Sequence, residues 1–424
     1  MRTLLNFLRL QLPLWLIFMM MTSTFILGSG GGMLLLYAVT PATNCPESND
    51  VCAQFGVFWQ VWDLARNNFV DANAADPQRM IEGAINGMLD TLDDRGHTRF
   101  MSASEAQRWQ ESLTGEFEGI GAYLNVREDG QAVIVRPIEG SPAERAGLRA
   151  GDFILAVDGE ETRGMNVDEL VSRIRGPRGT IVELQILHVG ETVPVDVRIQ
   201  RNNIEVPSVT WSMLPEGIAL VRLNSFAERS ATEMQRALEQ ARQQGARQLV
   251  LDLRNNPGGL VNEAIGIASQ FLPQDTPVLV EEDRNGQRRV TNARNGGVAL
   301  DLPMVVLVNF ETASSAEILS GALQDARRAT IIGVPTTGTG TVLTTYTLND
   351  GAQLLLGTSQ WLTPNGRLIR QKGIAPDIEV VLPLGAQPLS PLDAAELTLD
   401  ELLQGDDVQL ARALEELLAV ATTP

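Results

Sequence analysis

Short apolar runs alternate with amphipathic segments through the second half of the chain. The run Met304–Val308 (MVVLV) is continuously apolar, which is typical of a strand buried on both faces. Strands that alternate with helices of ten or more residues indicate a mainly parallel sheet covered by helices. The sequence predicts strands at Ala219–Leu223, Gln248–Leu253, Met304–Val308 and Thr330–Gly333, and helices at Ala231–Gln243, Leu260–Leu272 and Ala316–Arg327.

Gly115–Arg201 has a different pattern, in which short strand-like segments are separated by glycines. This pattern predicts a separate β-rich module with two short helices. Its predicted strands are Ala122–Val126, Ala132–Val135, Phe153–Val157, Ile181–Leu187 and Val193–Ile199, and its predicted helices are Pro142–Ala146 and Val167–Ile174.

The segments on either side of these two regions are predicted to be largely helical. Phe55 to Trp109 has a helical pattern that includes an amphipathic helix from Phe55 and a second one at Pro77–Leu92. The last residues predict two acidic helices, Pro391–Leu403 and Asp407–Ala419, either packed on the preceding domain or solvated. Between the sheet and this tail, NDG (349–351) and PNG (364–366) predict two hairpin turns.

The N-terminal segment predicts a membrane-targeted protein. Arg2 and Arg9 precede an uncharged run, Leu10–Asn44, which is longer than the roughly 20 apolar residues that span a bilayer. A cleaved signal sequence and a retained anchor both fit, and the lack of a clear cleavage site favours the anchor. The charge asymmetry predicts a single-pass membrane protein whose bulk is extracytoplasmic. Cys45 and Cys52 follow the run and are either paired or free.

The chain has 424 residues, of which 44% are hydrophobic, so it can form more than one core. Its net charge of −19 argues against nucleic acid as a partner, because phosphate binding needs a basic face. Lys372 is the only lysine in the sequence. Any mechanism that depends on a lysine side chain therefore has one candidate.

Ser314 lies where a predicted strand turns into a predicted helix, a position that suits a nucleophile. Its hydroxyl would project from the sheet edge, and the first amides of the helix would face developing negative charge. The same pattern fits a helix cap formed by Ser314 and Ser315, with Glu317 in the first turn. The pattern by itself leaves both interpretations open.

The β-rich module resembles a PDZ domain of the bacterial type. The resemblance rests on SPAERAGLRAGDFILAVDG (Ser141–Gly159) and IRGPRGT (Ile174–Thr180). It implies that EGIGAYL is the carboxylate-binding loop. The amides of Ile120, Gly121 and Ala122 would then receive the C-terminal carboxylate of a peptide that adds to the domain as an extra strand.

Three sequence blocks resemble the C-terminal processing peptidases, also called tail-specific proteases. They are LDLRNNPGG (Leu251–Gly259), TASSAEILSGALQDARRATIIG (Thr312–Gly333) and LTPNGRLIRQKGIAPDIEV (Leu362–Val380), and they occur in the order that the family has. With the helical segment and the PDZ module, the resemblance extends over about Phe55–Leu414. It implies a serine endopeptidase that recognises protein C-terminal tails and needs no metal or cofactor.

The resemblance also assigns roles to individual residues. Ser314 falls on the nucleophile that forms an acyl-enzyme. The amide of Ser315 and a glycine amide from Gly258 or Gly259 fall on the oxyanion hole. Asp325 falls on an acidic position on the helix after the nucleophile, with a supporting role in the family, and is as well explained as an exposed helix acid.

The position of the general base departs from the family. The family has a turn similar to FGKG whose lysine accepts the serine proton, whereas this chain has TGTG, with Thr339 in place of the lysine. Leu343 also replaces the glutamine that usually follows. A threonine hydroxyl is too weakly basic to act as a general base near neutral pH. Lys372 is the candidate substitute base, although the family commonly has a lysine there too.

Two functions therefore remain open, an endopeptidase of impaired competence and a non-catalytic peptide-binding scaffold or regulator. The fold class is a multidomain α+β and α/β protein, and its oligomeric state is not predicted. The expected parts are an anchor or signal sequence (1–44), a helical region (45–114), a PDZ domain (115–201), a peptidase-like α/β domain (202–395) and a helical tail (396–424).

Overall fold

The computed structural model describes residues 48–94, 97–127, 129–138 and 140–421. The described residues divide into two compact units, with the boundary between Met80 and Ile81.

The strands and helices are numbered in chain order. The strands are β1 (Arg99–Met101), β2 (Glu116–Gly119), β3 (Ala122–Val126), β4 (Ala132–Pro137), β5 (Phe153–Val157), β6 (Glu160–Glu161), β7 (Ile181–Leu187), β8 (Val195–Gln200), β9 (Asn202–Glu205), β10 (Val209–Leu214), β11 (Ile218–Leu223), β12 (Gln248–Asp252), β13 (Pro277–Asp283), β14 (Arg288–Asn292), β15 (Met304–Val308), β16 (Thr330–Gly333), β17 (Thr341–Thr347), β18 (Gln353–Leu362) and β19 (Ile378–Glu379). The helices are α1 (Asn49–Asn68), α2 (Pro77–Asp90), α3 (Ala103–Thr114), α4 (Pro142–Arg145), α5 (Val167–Ile174), α6 (Ser230–Gln243), α7 (Val261–Phe271), α8 (Ser315–Asp325), α9 (Pro391–Ala395), α10 (Leu399–Gln404) and α11 (Val408–Ala421).

The first unit contains α1, a helix of 20 residues, and the start of α2. The rings of Phe55, Phe58, Trp59 and Trp62 contact one another along α1. Cys52, in the first turns of this helix, is disulfide-bonded. Cys45 lies outside the described residues.

The prediction of a single-pass membrane protein is wrong on this structure. Within residues 48–94 and the described segments that follow, no helix combines the length and the apolar character needed to cross a bilayer. The segment Leu10–Asn44, on which the prediction of an anchor or signal sequence rested, lies outside the described residues.

The second unit opens with a departure from the predicted helical region. The strand β1 interrupts that region, because Arg99–Met101 pairs antiparallel with β18. It extends a five-stranded sheet in the order β1-β18-β13-β14, with β17 also paired to β18. The hairpin β17–β18 confirms the turn predicted at residues 349–351. The chain also turns at residues 364–366. In the described structure, however, the strand pairing across this turn is limited to the single bridge between Leu362 and Leu368.

The β-rich module forms the sheet β3-β4-β5-β7-β8, with β6 paired to β5. Alternate side chains of β7, from Val182 to Ile186, are fully buried in its core. Leu170 of α5 joins the same core, so α5 covers one face of the sheet. Because β3 is an edge strand, one side of it is open to a further strand.

The central sheet has the order β10-β11-β12-β15-β16-β19, and every pair except β10–β11 is parallel. The strand β15 shows how both faces are covered. Met304, Val306 and Val308 pack with α6, α7 and α8, whereas Val305 and Leu307 pack with the tail helices α9 to α11. The mainly parallel α/β fold is therefore confirmed, and the tail helices are part of its core rather than a solvated pair.

Candidate active site

Three loops meet at the carboxyl ends of β12, β15 and β16, where parallel sheets commonly hold their sites. The loops are residues 253–259, 309–314 and 334–340. Main-chain hydrogen bonds join them: the amide of Ala313 donates to Asn256 O at 2.9 Å, and the amide of Thr337 donates to Thr312 O at 3.0 Å. The sheet therefore brings together Ser314, Ser315, Thr339 and the loop that contains Gly258 and Gly259.

Buried polar side chains fix the middle loop. The Thr312 hydroxyl accepts from the Asn309 amide at 2.9 Å and donates to Leu253 O at 2.9 Å. The amide of Asn255 donates to Asn309 Oδ1 at 3.0 Å. These bonds satisfy backbone groups that the sheet interior would otherwise leave unpaired, so the turn before Ser314 has little freedom.

Ser314 itself has a strained backbone, with φ 53° and ψ −120°. Such a conformation is uncommon for residues other than glycine and costs about 1–3 kcal/mol, so it persists only where the surroundings impose it. It places Ser314 immediately before α8. The main-chain amide of Ser314 donates to Glu317 Oε2 at 2.9 Å and to Thr339 Oγ1 at 2.6 Å.

Glu317 is the centre of the hydrogen-bond network beside Ser314. Its carboxylate is fully buried and has no ion pair among the described residues. Its five donors are the Ser314 amide (2.9 Å), the Thr336 hydroxyl (2.5 Å), the Gly338 amide (2.7 Å), the Thr339 amide (2.9 Å) and the Thr339 hydroxyl (2.7 Å). This carboxylate thereby joins the start of α8 to the loop 334–340.

Thr339 lies next to Ser314, as its place in the sequence predicts. Its side chain is buried, and its hydroxyl is occupied by the Ser314 amide and the Glu317 carboxylate. No lysine or histidine side chain within the described part of the chain forms a hydrogen bond to Ser314. Thr339 and Glu317 are thus the side chains that hold the main chain of Ser314 in place.

Gly258 packs directly against Ser314. A Cβ atom on Gly258 would lie 2.7 Å from Ser314 Cβ and 2.9 Å from Ser315 N. The Gly258 amide already donates to Asn256 Oδ1 at 2.8 Å. Within the described segments, the amides of Gly259 and Ser315 donate to no acceptor. They are therefore the two donors that remain available for an oxyanion.

A buried charge network precedes the glycine loop. Arg254 donates to Asp252 at 2.9 Å and to Asp407 at 2.6 Å, and Arg222 also donates to Asp252 at 2.6 Å. Burial would raise the pKa of Asp252, but the two guanidinium groups outweigh it and lower this pKa to about 2. Burial likewise opposes the charge on Arg254, yet the two carboxylates raise its pKa. The network ties the loop 253–259 to α11.

Two other predicted site residues lie elsewhere. Asp325, at the far end of α8, is about 16 Å from Ser314 along the helix axis. It is also not exposed: its side chain is 4% accessible and pairs with Arg367. Lys372 has an exposed side chain, and its main-chain amide lies beside Gly338.

The predicted carboxylate-binding loop borders a cavity of about 1040 Å³, which the β-rich module lines together with α3 and the residues that flank β10 and β11. Ile120 to Leu124 line one side of it, and Val171 and Arg175 lie on the opposite side. Within the described residues, the amides of Ile120 and Gly121 donate to no acceptor. The groove therefore offers two unused donors next to the open edge of β3.

Sequence reasoning missed the roles of Glu317 and Asp407. Glu317 follows Ser314 by three residues, which is the spacing of a capping box, and this spacing is the signal that could have revealed its bond to the Ser314 amide. It gave no sign of the bonds to the loop 334–340. Asp407 lies 153 residues after Arg254, so no local pattern could reveal their contact.

The fold and two family matches define the class of protein: an α/β domain of the S41 type joined to a PDZ domain. Residues 217–380 match Peptidase family S41, and residues 133–187 match the PDZ domain family.

Individual relatives support this class. A carboxyl-terminal-processing protease from Synechocystis sp. is 38% identical over 370 residues, which is 86% of this chain and 86% of that protein. The carboxy-terminal processing protease CtpA of Bacillus subtilis is 38% identical over 308 residues, which is 73% of this chain and 65% of that protein, just under two thirds of its length. A putative S41 protease from Bacteroides fragilis shares the fold with a TM-score of 0.53, at 18% identity over 86% of this chain and 98% of that one. The chain belongs to Peptidase family S41, which confirms the family predicted from the sequence.

Proposed function

We propose that this protein is a C-terminal processing serine endopeptidase in which Ser314 is the nucleophile and hydrolysis is slow. The observation that carries the proposal is the pair of unused amides, Gly259 and Ser315, next to the strained Ser314. Two donors of this kind stabilise the oxyanion of a tetrahedral intermediate, and losing one typically costs about 3 kcal/mol of barrier.

In the proposed reaction, Ser314 Oγ attacks the carbon of the scissile carbonyl group, and the carbonyl oxygen becomes the oxyanion. The C–N bond then breaks as a water-borne proton is transferred to its nitrogen, and the tail leaves as an amine. A second water molecule hydrolyses the ester on Ser314, which releases the carboxylic acid and returns a proton to Oγ. The proton of Ser314 passes to water, since the Thr339 hydroxyl is too weak a base to accept it. The lack of a positioned base lowers the rate by roughly 10²- to 10⁴-fold.

We assign the recognition of the substrate tail to the groove beside β3. A peptide would add to the open edge of β3 as a strand, with main-chain hydrogen bonds supplying affinity. Its terminal carboxylate would accept from the amides of Ile120, Gly121 and Ala122. The support is the unused amides of Ile120 and Gly121 and the cavity that α3, α5 and β3 line.

A second candidate is a non-catalytic relative that only binds peptides. Thr339 favours it, because its hydroxyl is already occupied on both sides by the Ser314 amide and the Glu317 carboxylate. In this case the same interactions that hold Ser314 in place serve stability, and the groove beside β3 is the functional site.

Labelling of Ser314 separates the two candidates. The full chain is incubated with a fluorophosphonate probe, and peptides with free C-termini are assayed for cleavage by mass spectrometry. The endopeptidase proposal expects labelling and slow cleavage that both disappear in Ser314→Ala. Absence of labelling and of cleavage would overturn it in favour of the second candidate.

Peptide binding is tested separately, so that a failure of catalysis does not obscure it. A fluorescent peptide with a free C-terminus should bind the Ser314→Ala protein, and its C-terminally amidated form should bind at least about tenfold more weakly. Gly121→Ala should abolish binding, because its Cβ would lie 2.5 Å from Ser141 Cβ at a φ of 78°. Gly159→Ala is the matched control, since it has a φ of 82° but open space around it. Equal binding of the free and amidated peptides would contradict the proposed role of the loop.

A further inference from the structure

Four arginines surround one cavity of the β-rich module. Arg145 of α4, Arg178 before β7, Arg198 of β8 and Arg201 line a space of about 540 Å³. None of the other residues described as lining it is acidic: they are Pro142, Ala146, Gly179, Ile199, Gln200 and Asn202. In a chain with a net charge of −19, this is a local concentration of positive charge.

Arg201 provides the fixed part of that charge. The residue is 8% exposed, and its guanidinium donates to Ile174 O at 2.8 Å, Arg173 O at 3.1 Å, Ile181 O at 3.1 Å and the Thr180 hydroxyl at 3.0 Å. All four acceptors are neutral, and no carboxylate pairs with Arg201 in the described residues. A buried cation with neutral partners keeps its charge and leaves a positive potential in the adjoining space.

The other three guanidinium groups are exposed and weakly engaged. Arg145 donates to Gly140 O. Arg198 pairs with Glu183 at 3.5 Å, but the two side chains are 70% and 50% exposed, and such pairs contribute little. The guanidinium of Arg178 has no ion pair with any described residue. These groups can therefore turn toward a ligand without leaving a strong partner.

We propose that this cavity is an anion site that binds a multivalent phosphate-type oxyanion. Arginine stays charged at every relevant pH, and its planar fork binds phosphate through paired hydrogen bonds. Guanidinium groups from separate elements suit a ligand whose oxygens point in several directions. A single planar carboxylate would engage only one fork.

The site is separate from the proposed peptide groove. The cavity has no lining residue in common with the groove beside β3. It lies by β8, which is at the opposite end of the sheet order from β3. Anion binding here therefore does not depend on Ser314 or on the occupancy of the peptide groove.

Calorimetry with sodium pyrophosphate tests the site on the full chain. Ionic strength is held constant with sodium chloride, and EDTA excludes metal complexes. We expect saturable binding with a Kd below about 1 mM, and a higher Kd in a second titration at a higher constant concentration of sodium chloride. The double variant Arg145→Gln, Arg178→Gln should raise the Kd at least about tenfold, because it removes two of the three exposed forks.

The matched control removes two charges from the same module outside the cavity. Arg149 and Arg163 are both exposed and do not line it, so Arg149→Gln, Arg163→Gln should change the Kd less than about twofold. Thermal unfolding of each variant verifies that the module is folded. Three results would overturn the proposal: no binding beyond the chloride control, an equal loss in both double variants, or tighter binding of a penta-glutamate peptide than of pyrophosphate.

Discussion

The main-chain amide of Ser314 donates a 2.6 Å hydrogen bond to the side-chain oxygen of Thr339. The Thr339 hydroxyl donates in turn to the buried carboxylate of Glu317. The residue at the expected base position thus acts as a structural link between the strained turn and the loop that follows β16. Its contribution to stability and its lack of basicity can be measured separately.

Removing this hydroxyl should destabilise the protein with little change in shape. In Thr339→Val, the Ser314 amide keeps only Glu317 as a partner and the buried carboxylate loses one donor. We expect the free energy of unfolding to fall by about 1–3 kcal/mol, measured by urea denaturation. Thr339→Ser keeps the hydroxyl and is the control, with a loss below about 1 kcal/mol. Equal stability of the valine variant and the wild type would refute the link.

A lysine at this position should raise peptide hydrolysis. The Thr339→Lys side chain would supply the missing base next to Ser314, and a positioned base typically contributes roughly 10²- to 10⁴-fold in rate. Cleavage of a peptide with a free C-terminus is followed over time, and the same substitution combined with Ser314→Ala is the control. No gain in rate in a folded Thr339→Lys protein would contradict the assigned base position. Leu343 is best left unchanged, because it packs against the apolar cluster of Met101 and Leu355.

The close approach of Gly258 to Ser314 predicts a strong effect of a single methyl group. In Gly258→Ala the added Cβ would lie 2.7 Å from Ser314 Cβ, so the turn must move. We expect a loss of fluorophosphonate labelling and a lower melting temperature. Gly366→Ala is the control, because its φ of 81° imposes similar backbone strain but nothing lies within 4 Å. The two variants should therefore differ by the steric part of the effect, and identical behaviour would argue against the packing described.

The buried pair of Arg254 and Asp407 should matter far more than a surface pair of similar geometry. In Asp407→Asn, Arg254 loses one of its two carboxylates in a site without water access, which should cost about 3 kcal/mol. The exposed pair of Arg242 and Asp301 also has a 2.6 Å contact, yet Asp301→Asn should leave stability nearly unchanged. Urea denaturation measures the free energy of unfolding of both variants. Equal losses in the two variants would contradict the predicted difference between the buried and the exposed pair.

Acid should weaken the fold through Asp252. Its pKa is lowered from 3.8 to about 2 in the folded protein, so the stabilisation is complete above about pH 4 and is lost as the pH falls toward 2. The shift corresponds to about 2 kcal/mol at neutral pH. The free energy of unfolding, measured between pH 5 and pH 2, should fall less steeply in Asp252→Asn than in the wild type. Parallel curves would mean that Asp252 is not responsible.

Local patterns predicted most of the central sheet, because its strands are buried and apolar. Met304–Val308 and Thr330–Gly333 have the predicted bounds. Strands at the margins were missed, among them β2 and β14, since they are short and half exposed and carry many charges. The pairing of β2 also depends on β9, which is distant in the sequence, whereas β14 pairs with the neighbouring β13.

The candidate site was predictable only as far as the family motif carries it. Ser314, Gly258 and Thr339 do lie together, but the sequence did not indicate that the Gly258 amide is already occupied by Asn256. Asp325 shows the opposite limit. Its carboxylate is on the expected helix but at the far end, where it is bound to Arg367. Each turn of a helix advances about 5.4 Å, and the family motif by itself did not indicate how far Asp325 lies from Ser314.

The contact between Arg254 and Asp407 also sets an order of events during synthesis. Asp407 follows Arg254 by 153 residues, and chains grow at about 5–20 residues per second. Arg254 therefore exists for roughly 8–30 s before its second carboxylate is made. Over that interval the loop that contains Gly258 and Gly259 lacks the ion pair between Arg254 and Asp407. A nascent chain of this protein cannot complete its own site, so the site is assembled only after the tail has been translated.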